Sequence, residues 1–597
     1  MKLIDALEAL KDEPQSQSPV LDVDLACGFT PLHLLTFLNA HLRREFPNHK
    51  ISIRTGIFGD LLGYLEVLER ERPAVTVAVI EWADLDPRLG IRRLGGWETR
   101  QMFDIAENVR DHATKLADSL ERISRANLVV LALPTLPFPP IAFTPGWQSS
   151  SFENDVREIL AHLASRLAKS RNIRVISSQR LDRISPPGSR FDVKAEISTG
   201  FPYKISHADA LAGLLSRIIR DPLPKKGLIT DLDDTLWKGI LGEVNVEGIA
   251  WDLDHHAQKH GLYQQLLASL AETGVLIAVA SKNDPFLVED AFRKAKLMLP
   301  RSRIFPIEAN WGPKSTSVYK ILRAWNLGAD SVVFVDDNSL ELAEVKAAHA
   351  EIECLRFPRD DDEAAYQFLE TLRDLFGKQC VSPEDEIRLQ SIEASQVIAE
   401  ASQSDGHARE HFLQEIGGRL TLSFSKNTRD PRPLELLNKT NQFNLNGKRH
   451  TEVAWRNYLN DPEVFLLLAS YEDKFGSLGK IAVMAGRCEG NKLSVEYWVM
   501  SCRAFSRRIE YGCLLHIFQK SGAEAASFDF APTSRNTAIQ SFFADLMGAA
   551  PPARSSISKQ QFFDKCPPLY LEIQEHCDER QEQATHEVLF CGLPRAQ

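Results

Sequence analysis

Three carboxylates stand within four residues directly after a short apolar run, in the stretch Leu228–Trp237, LITDLDDTLW. Ionised carboxylates this close repel one another, so they need a counter-ion or raised pKa values. A hard divalent cation meets that need, and Mg²⁺ suits a site that also binds phosphate. A carboxylate such as Asp231 can attack phosphorus, and a second one, Asp233, can protonate the leaving oxygen and then activate water.

Other polar residues follow further apolar runs in the same way. The runs GLIT, VLIAVA and SVVFV are followed by Asp231, Ser281 and the pair Asp336 and Asp337, with amphipathic stretches between them. This alternation predicts a parallel sheet with helices on both faces, in which the strand ends meet at one edge. At that edge Ser281 would hydrogen-bond a phosphoryl group, and Lys314 would neutralise its charge.

These motifs resemble those of the haloacid dehalogenase (HAD) superfamily of phosphohydrolases. The match comprises D-x-D-x-T, a serine after a strand, a lysine and an acidic pair after a strand, met here by Asp231, Asp233, Thr235, Ser281, Lys314, Asp336 and Asp337. The resemblance implies that Asp231 is the nucleophile and Asp233 the acid/base. It also implies that Mg²⁺ binds Asp231, the carbonyl of Asp233 and one residue of the acidic pair. Asp337 is favoured, because many relatives carry glycine where Asp336 stands.

The substrate side of this site is expected to be open. The segment between Thr235 and Ser281 has room for a short flap and not for a large cap domain. An open site admits a phosphate that is carried on another protein. The candidate substrate-binding residues here are Thr235, Ser281, Lys282, Asn283 and Lys314.

Wider stretches resemble the FkbH-like branch of the superfamily. They are DLDDTLWKGILGE, VASKND, NWGPKS and VFVDDNSLE, followed by NKTNQFNLNGKRHT, VMSCRAFSRRIE and APTSRN. The resemblance implies a glyceryltransferase/phosphatase of polyketide or related biosynthesis. Such enzymes hold the acyl group of 1,3-bisphosphoglycerate as an enzyme thioester, remove phosphate and load glycerate onto an acyl carrier protein.

The thioester requires a cysteine, and Cys502 is the preferred candidate. The sequence predicts a strand over Leu493–Ser501, a basic turn and then a helix, an order that resembles the pantetheine-cofactor site of GCN5-related N-acetyltransferases (GNAT). Ser506 and Arg508 replace the two glycines of that turn, which speaks against acetyl-CoA binding. Cys502 stands where the acyl group would lie in that fold.

Residues near Cys502 are expected to bind substrate. Arg503, Arg507 and Arg508 would meet the phosphate of a carrier protein's phosphopantetheine arm and lower the pKa of the thiol. Several amides would bind glycerate hydroxyls or pantetheine amides, namely Asn438, Asn441, Gln442, Asn444 and Asn536. The alternatives are a buried structural thiol and asparagines that cap loops.

The N-terminal part of the chain weakly resembles SGNH hydrolases. Cys27 stands in the place of the nucleophilic serine and His207 in the place of the triad histidine, while Lys204 replaces the expected aspartate. Cys27, paired with His207, is therefore the rival acyl carrier. The alternative is a hydrolase fold that has lost catalysis and serves for docking.

Composition excludes several classes of protein, and two polar segments that contain proline mark the predicted domain boundaries. These two seams are Arg220–Gly227 and Gly377–Arg388. The 597 residues carry a formal net charge of -11, and the nine cysteines lack C-x-x-C spacing. Without a dense basic run, a long apolar stretch or a secretory signal, we expect a cytoplasmic protein that binds neither nucleic acid nor membranes. The seams predict three α/β domains: SGNH-like over 1–222, HAD-like with a parallel sheet and a minimal cap over 223–380, and GNAT-like over 381–597.

The preferred hypothesis is a Mg²⁺-dependent glyceryltransferase/phosphatase that serves an acyl carrier protein. Two alternatives stay open. One is a HAD phosphatase of another phosphorylated metabolite, fused to a separate acyltransferase. The other is a non-catalytic scaffold that docks carrier proteins.

Overall fold

The structure, a computed structural model, describes most of the chain. It covers residues 1–11, 18–94, 102–138, 151–170, 172–220, 223–378, 381–401, 406–427, 430–533, 535–548 and 555–576. Residues 221–222 and 379–380, at the two predicted seams, lie outside the described ranges. The chain divides into two compact units, Met1–Pro222 and Leu223–Gln597. Within the described ranges, no helix is both long enough and apolar enough to cross a membrane.

The first unit contains a five-stranded parallel sheet in the order β2-β1-β3-β4-β5. Its strands are β1 Val20–Cys27, β2 Lys50–Thr55, β3 Val75–Val79, β4 Leu128–Ala132 and β5 Ile173–Val175. Its helices are α1 Leu3–Ala9, α2 Leu32–Glu45, α3 Leu61–Glu71, α4 Trp82–Leu85, α5 Met102–Ser124, α6 Ser151–Leu167, α7 Ser178–Ile184, α8 Val193–Thr199 and α9 Ile205–Arg220. Helices α3, α5 and α6 pack on one face, and α1, α2 and α9 pack on the other.

The second unit begins with another five-stranded parallel sheet, in the order β10-β9-β6-β7-β8. Its strands are β6 Gly227–Thr230, β7 Leu276–Ser281, β8 Ile304–Ala309, β9 Val332–Asp336 and β10 Glu353–Arg356. Its helices are α10 Leu241–Gly248, α11 Gln258–Glu272, α12 Pro285–Lys294, α13 Lys314–Trp325, α14 Ser339–Ala348 and α15 Asp362–Phe376. The three strands predicted from apolar runs are β6, β7 and β9, with β6 in the centre of the sheet.

Burial on both faces explains why these strands read as continuous apolar runs. Successive side chains of a strand point to opposite faces, so Leu228 and Ile229 of β6 enter two different cores. Both are fully buried. Each such burial contributes about 1.5–3 kcal/mol relative to an exposed side chain. The central strand is therefore held firmly, and so is the residue that follows it.

The rest of the second unit is built on a mixed eight-stranded sheet, in the order β17-β16-β15-β14-β13-β11-β18, with β12 paired to β15. Its strands are β11 Gly418–Ser423, β12 Phe443–Asn444, β13 Val464–Asp473, β14 Gly476–Glu489, β15 Lys492–Met500, β16 Ala525–Phe528, β17 Ser555–Ser558 and β18 Leu571–Glu575. The helices are α16 Pro383–Glu386, α17 Arg388–Ala401, α18 Gly406–Glu415, α19 Arg432–Lys439, α20 Glu452–Leu459, α21 Ile509–Ser521, α22 Thr537–Met547 and α23 Lys559–Lys565. The predicted strand before Cys502 is β15, and the predicted helix after it is α21.

The predicted multidomain α/β class is confirmed, with two parallel sheets and one mixed sheet. The insertion after β6 is short, as expected. Helix α11 belongs to the layer that covers the sheet, because it packs against α15. The rest of the insertion is the segment 236–257, which contains α10 and buries Trp237, Leu241 and Ile249 in the core beside the sheet. The boundary predicted near residue 380 stays a prediction, since both sheets of the second unit belong to one compact unit.

Candidate functional site

The carboxyl edge of the second sheet brings three aspartates together. Asp231 follows the central strand β6, and its N–H donates to the Val335 carbonyl of β9 at 2.9 Å. Because β6 and β9 are neighbours in a parallel sheet, Asp336 at the end of β9 lies beside Asp231. Asp231, Asp336 and Asp337 each place a carboxylate oxygen within 4.8 Å of the others. The convergence predicted from the strand ends is present in the fold.

Lys314 is the buried cation of this group. It begins α13, and its Nζ lies 3.0 Å from Asp231 Oδ2 and 2.6 Å from Asp336 Oδ2. Burial alone would lower the pKa of Lys314, but Asp231 and Asp336 raise it, so the ammonium stays charged. One ammonium does not balance three carboxylates. Burial and the charge of Asp231 raise the pKa of Asp336 to about 7 and also raise the pKa of Asp337.

The three-carboxylate group fits Mg²⁺. Asp231 Oδ1 is buried and has no hydrogen-bond partner among the described residues. A buried oxygen without a partner is costly unless a ligand uses it. Together with two further carboxylates it offers the hard oxygen donors that Mg²⁺ prefers. The group therefore matches the cation that the motifs imply.

The acidic pair after β9 divides into two different environments. Asp336 has both oxygens engaged, since Oδ1 accepts from Asn338 N at 2.9 Å and Oδ2 is held by Lys314. Asp337 has Oδ2 on Arg359 at 2.9 Å, and its Oδ1 has no hydrogen bond in the described part of the chain. This difference supports Asp337 as the metal ligand of the pair, which stays a prediction. Sequence reasoning missed Arg359, although it follows the neighbouring strand β10.

Asp233 lies outside the three-carboxylate group and is held by neutral donors. Trp237 Nε1 and Leu241 N donate to its Oδ1, each at 3.1 Å. Asn283 Nδ2 donates to its Oδ2 at 3.0 Å and also lies 3.1 Å from Ser281 Oγ. Burial raises the pKa of Asp233, which favours a protonated carboxyl. This is the environment that a general acid needs.

Thr235 differs from its predicted role as a substrate-binding residue, whereas the predicted role of Lys282 stays a prediction. Thr235 is fully buried, and its Oγ1 accepts the N–H of Asp337 at 3.1 Å. It therefore positions the acidic pair and does not contact substrate, which corrects the prediction. Lys282 forms an ion pair with Glu341 at 2.8 Å, with 39% of its side chain exposed. It lies at the rim of the site.

The turn after β15 corrects two predictions about arginines. Arg507 and Asp473 form an ion pair at 3.0 Å in which both side chains are fully buried. Arg503 is also buried, and its Nε donates to Ser501 Oγ at 3.3 Å. Neither guanidinium is placed to meet the phosphate of a carrier protein, because both point into the protein. Cys502 itself is half-buried.

The same turn keeps a conformation that favours glycine. Ser506 has φ of 68° and Arg508 has φ of 60°, both in the left-handed region. Two residues with side chains therefore adopt a backbone conformation that glycine adopts more readily.

Two of the predicted substrate-binding amides instead close loops. Asn438 exchanges two hydrogen bonds with the backbone of His450, at 2.8 and 3.0 Å. Asn536 is buried and donates to the carbonyls of Asn444 and Ala531 at 3.0 and 2.9 Å. Both predictions are corrected to loop capping. Gln442, half-buried beside β12, keeps its predicted role as a prediction.

Cys27 and His207 in the first unit do not form a reactive pair. The Cys27 thiol donates to the Phe29 carbonyl at 3.3 Å, and burial together with Asp84 raises its pKa to about 12. His207 is fully buried, with Thr135 Oγ1 and Ser185 Oγ at 2.9 Å from its two ring nitrogens. Burial lowers the pKa of His207 to about 3. The proposed nucleophile and base are thus corrected to core residues.

Comparison with known proteins supports the phosphatase fold. The N-terminal part of the protein BF1531 from Bacteroides fragilis, which contains a phosphatase domain complexed with Mg, aligns with a TM-score of 0.52 at 20% identity. The alignment covers 64% of this chain and 100% of that one. At this identity the likeness concerns the fold alone, and it shows that this chain shares the fold of that phosphatase-containing protein over the aligned part.

A second solved structure is too distant for any argument. The salicylyl-acyltransferase SsfX3 from a tetracycline biosynthetic pathway aligns with a TM-score of 0.22 at 13% identity, over 33% of this chain and 53% of that one. No protein-family model and no curated protein matches the chain.

Proposed function

We propose that the second unit is a Mg²⁺-dependent phosphatase that works through an aspartyl-phosphate on Asp231. The observation that carries this proposal is the buried oxygen of Asp231, set among two further carboxylates and beside Lys314. The fold of the Mg-bound phosphatase domain adds support. Asp231, the backbone carbonyl of Asp233 and Asp337 would hold the cation, which when bound neutralises carboxylate and phosphoryl charge.

The first step transfers the phosphoryl group to the protein. A carboxylate oxygen of Asp231 attacks phosphorus, and the bond from phosphorus to the substrate oxygen breaks. Asp233, whose pKa is raised by burial, gives its proton to that leaving oxygen. Lys314 begins α13 with its Nζ 3.0 Å from Asp231, and Ser281 ends β7, the strand next to β6, so that Lys314 would balance the charge of the phosphoryl oxygens and Ser281 would hydrogen-bond them.

The second step releases phosphate. Asp233, now ionised, takes a proton from water, and the water oxygen attacks phosphorus. The bond from phosphorus to Asp231 breaks and restores the carboxylate. Asn283 holds Asp233 at 3.0 Å through both steps, so the acid/base stays in place as its charge changes.

We propose further that the protein is a glyceryltransferase. The Cys502 thiolate attacks the acyl carbon of 1,3-bisphosphoglycerate, the carbon–oxygen bond to the acyl phosphate breaks, and phosphate leaves. Two further steps follow in either order: Asp231 removes the remaining 3-phosphate, and a carrier-protein thiolate takes the acyl group and frees Cys502. The motifs shared with the FkbH-like family support this finer proposal, and so does the half-buried position of Cys502.

The phosphatase without acyl capture is a second candidate. The burial of Arg503 and Arg507 favours it, because it removes two of the cations that a phosphopantetheine arm would meet. Its substrate would be another phosphorylated metabolite.

Intact-protein mass spectrometry after exposure to 1,3-bisphosphoglycerate and Mg²⁺, together with an assay of phosphate release, tests both the phosphatase and the glyceryltransferase proposals. The glyceryltransferase predicts a glyceryl or phosphoglyceryl adduct that maps to Cys502 and is removed by holo-carrier protein. Cys502→Ala should lose this adduct, whereas Cys27→Ala should keep it. Phosphate release from small phosphomonoesters without any adduct would support the phosphatase alone, and the absence of both would contradict the whole proposal.

A further inference from the structure

The first unit contains a cavity at the carboxyl edge of its parallel sheet. Gly28, the residue after β1, and Glu81, which follows β3 by two positions, both line it. Its volume is about 120 Å³. An apolar cavity of about 150 Å³ can bind benzene, so this space suits one small ring or a short carbon chain. The cavity belongs to the first unit and takes no part in the proposed phosphatase chemistry.

Aromatic side chains form most of the cavity wall. They are Phe29, Phe58, Trp82, Phe138 and Phe191. Trp82 and Phe138 meet edge to face, with 5.0 Å between their ring centroids. The indole N–H of Trp82 donates to the Leu136 carbonyl at 3.0 Å, so this donor is already used within the fold. Such a wall attracts apolar groups, and the faces of its rings also attract cations.

Asp84 adds a carboxyl group to this apolar wall. Its Oδ2 accepts the N–H of Glu81 at 2.8 Å, and it forms no ion pair within the described ranges. A Cβ atom on Gly28 would lie 1.7 Å from Asp84 Oδ1, so the carboxyl group occupies this place only because residue 28 is glycine. Burial raises the pKa of Asp84 to about 7, and the negative charges of Glu81 and Glu196 add to the rise. A cation beside Asp84 would stabilise its ionised form.

The other charged groups of the cavity do not supply that cation. Arg92 is the one cation among the described residues of the lining, and its Nε donates to Glu196 Oε1 at 3.0 Å. Glu81 is held by neutral donors, among them the hydroxyl of Tyr203 at 2.7 Å. Three carboxyl groups therefore share one guanidinium, and the cavity has an excess of negative charge. Asp84 is the carboxyl group of the three that is left to a ligand.

We propose that this cavity binds a small organic ammonium compound, whose charge Asp84 balances and whose apolar body contacts the aromatic wall. An anionic ligand would be repelled by the excess of carboxyl groups. A neutral apolar ligand would leave Asp84 without a cation. This binding site goes beyond the proposed phosphatase and does not depend on it.

Isothermal titration of the full-length protein with benzylamine at pH 8 tests the proposal. Benzyl alcohol, which has almost the same size and no charge, is the matched probe. Benzylamine should bind about tenfold more tightly, since a hydrogen bond between charged groups is stronger than one between neutral groups. Asp84→Asn should remove this difference, because the amide keeps an acceptor for the N–H of Glu81 but loses the charge. The control is Asp60→Asn, since Asp60 also accepts a backbone N–H, from Gly63 at 2.9 Å, and does not line the cavity.

A second variant tests the location of the site. Ala83 is exposed and lines the cavity, so Ala83→Phe should fill the entrance and abolish binding of both probes. Equal affinity of the wild type for the two probes, or binding of neither, would overturn the proposal. So would full benzylamine binding in Asp84→Asn or in Ala83→Phe. Circular dichroism reports whether each variant is folded, and if Asp84→Asn is not, the two probes and Ala83→Phe decide.

Discussion

Asp231 and Asp233 are two positions apart and have different surroundings. Asp231 lies beside two carboxylates and the Lys314 ammonium, whereas Asp233 is held by the neutral donors of Trp237, Leu241 and Asn283. The surroundings of Asp231 require a cation, whereas burial raises the pKa of Asp233 and favours its protonated form. This contrast supports the proposed roles of Asp231 as nucleophile and Asp233 as acid/base. It arises because the two side chains contact different strand ends and loops.

Replacement of the nucleophile tests this division. Asp231→Asn should lower phosphate release from p-nitrophenyl phosphate on the order of 10³-fold or more, because the amide oxygen is a poor nucleophile. Capture of an acyl group on Cys502 should persist. The matched control is Asp234→Asn, since Asp234 holds Gly239 N and Arg359 and takes no part in the chemistry. Equal activity of Asp231→Asn and the wild type would contradict the mechanism.

Mg²⁺ affinity should depend on pH through Asp336. Burial and the charge of Asp231 raise the pKa of Asp336 to about 7, so its carboxylate forms only as the pH rises through that value. Below pH 7 protonation therefore removes a negative charge beside the cation, and the affinity should be about tenfold weaker at pH 6 than at pH 8. Isothermal titration with Mg²⁺ at the two pH values measures this. Asp336→Asn should show a flatter pH dependence, and an equally steep one would contradict the assignment.

Some elements of the second unit have residue types that favour their backbone conformation, and others do not. Strands β6, β7 and β9 carry apolar residues on both faces and form as predicted. The turn before α21 is different, because a serine and an arginine adopt left-handed backbone conformations there. This conformation costs a residue with a side chain about 1–2 kcal/mol relative to the right-handed one.

Ser506→Gly should therefore stabilise the protein. Ser506 is exposed and has φ of 68°, so glycine removes the backbone strain without emptying a core. We expect Ser506→Gly to be more stable than Ser506→Ala by about 1 kcal/mol, since alanine keeps the Cβ atom and glycine does not. Urea unfolding of the two variants measures the difference. Equal midpoints would show that the turn carries no such strain.

At the scale of the whole molecule, the two proposed chemistries belong to two different sheets of the second unit. Asp231 follows β6 of the parallel sheet, and Cys502 follows β15 of the mixed sheet. An acyl group held on Cys502 would therefore have to pass from one sheet to the other, and a long flexible carrier arm is a suitable means of moving it.

The second unit should work as a phosphatase by itself. Leu223–Gln597 is a compact unit with its own hydrophobic cores on both faces of each sheet. A protein of residues 223–597 should therefore fold and keep at least half of the turnover of p-nitrophenyl phosphate. The matching fragment of residues 1–222 should have none, because its Cys27 and His207 are core residues. Phosphatase activity confined to the full chain would contradict this expectation.

The sequence by itself determined which strand ends bring the aspartates together. Asp231, Ser281 and Asp336 each follow or end a buried strand, and a parallel sheet has to bring such ends to one edge. The apolar runs that predict the strands and the parallel order of those strands therefore place these residues at the same edge. The lysine that begins α13 was also identified, because it belongs to an ordered set of motifs.

Only the tertiary structure decided which of the remaining polar side chains face a ligand. Arg507, Asn438 and His207 have residue types that suit binding or catalysis, yet each is used inside the fold, in an ion pair, a loop cap and a buried hydroxyl network. Burial and partner choice depend on segments far apart in the chain, so spacing does not reveal them. The hydrogen bond from Lys226 Nζ to the Lys439 carbonyl has the same origin, because 213 positions separate the two residues and only tertiary packing brings them together.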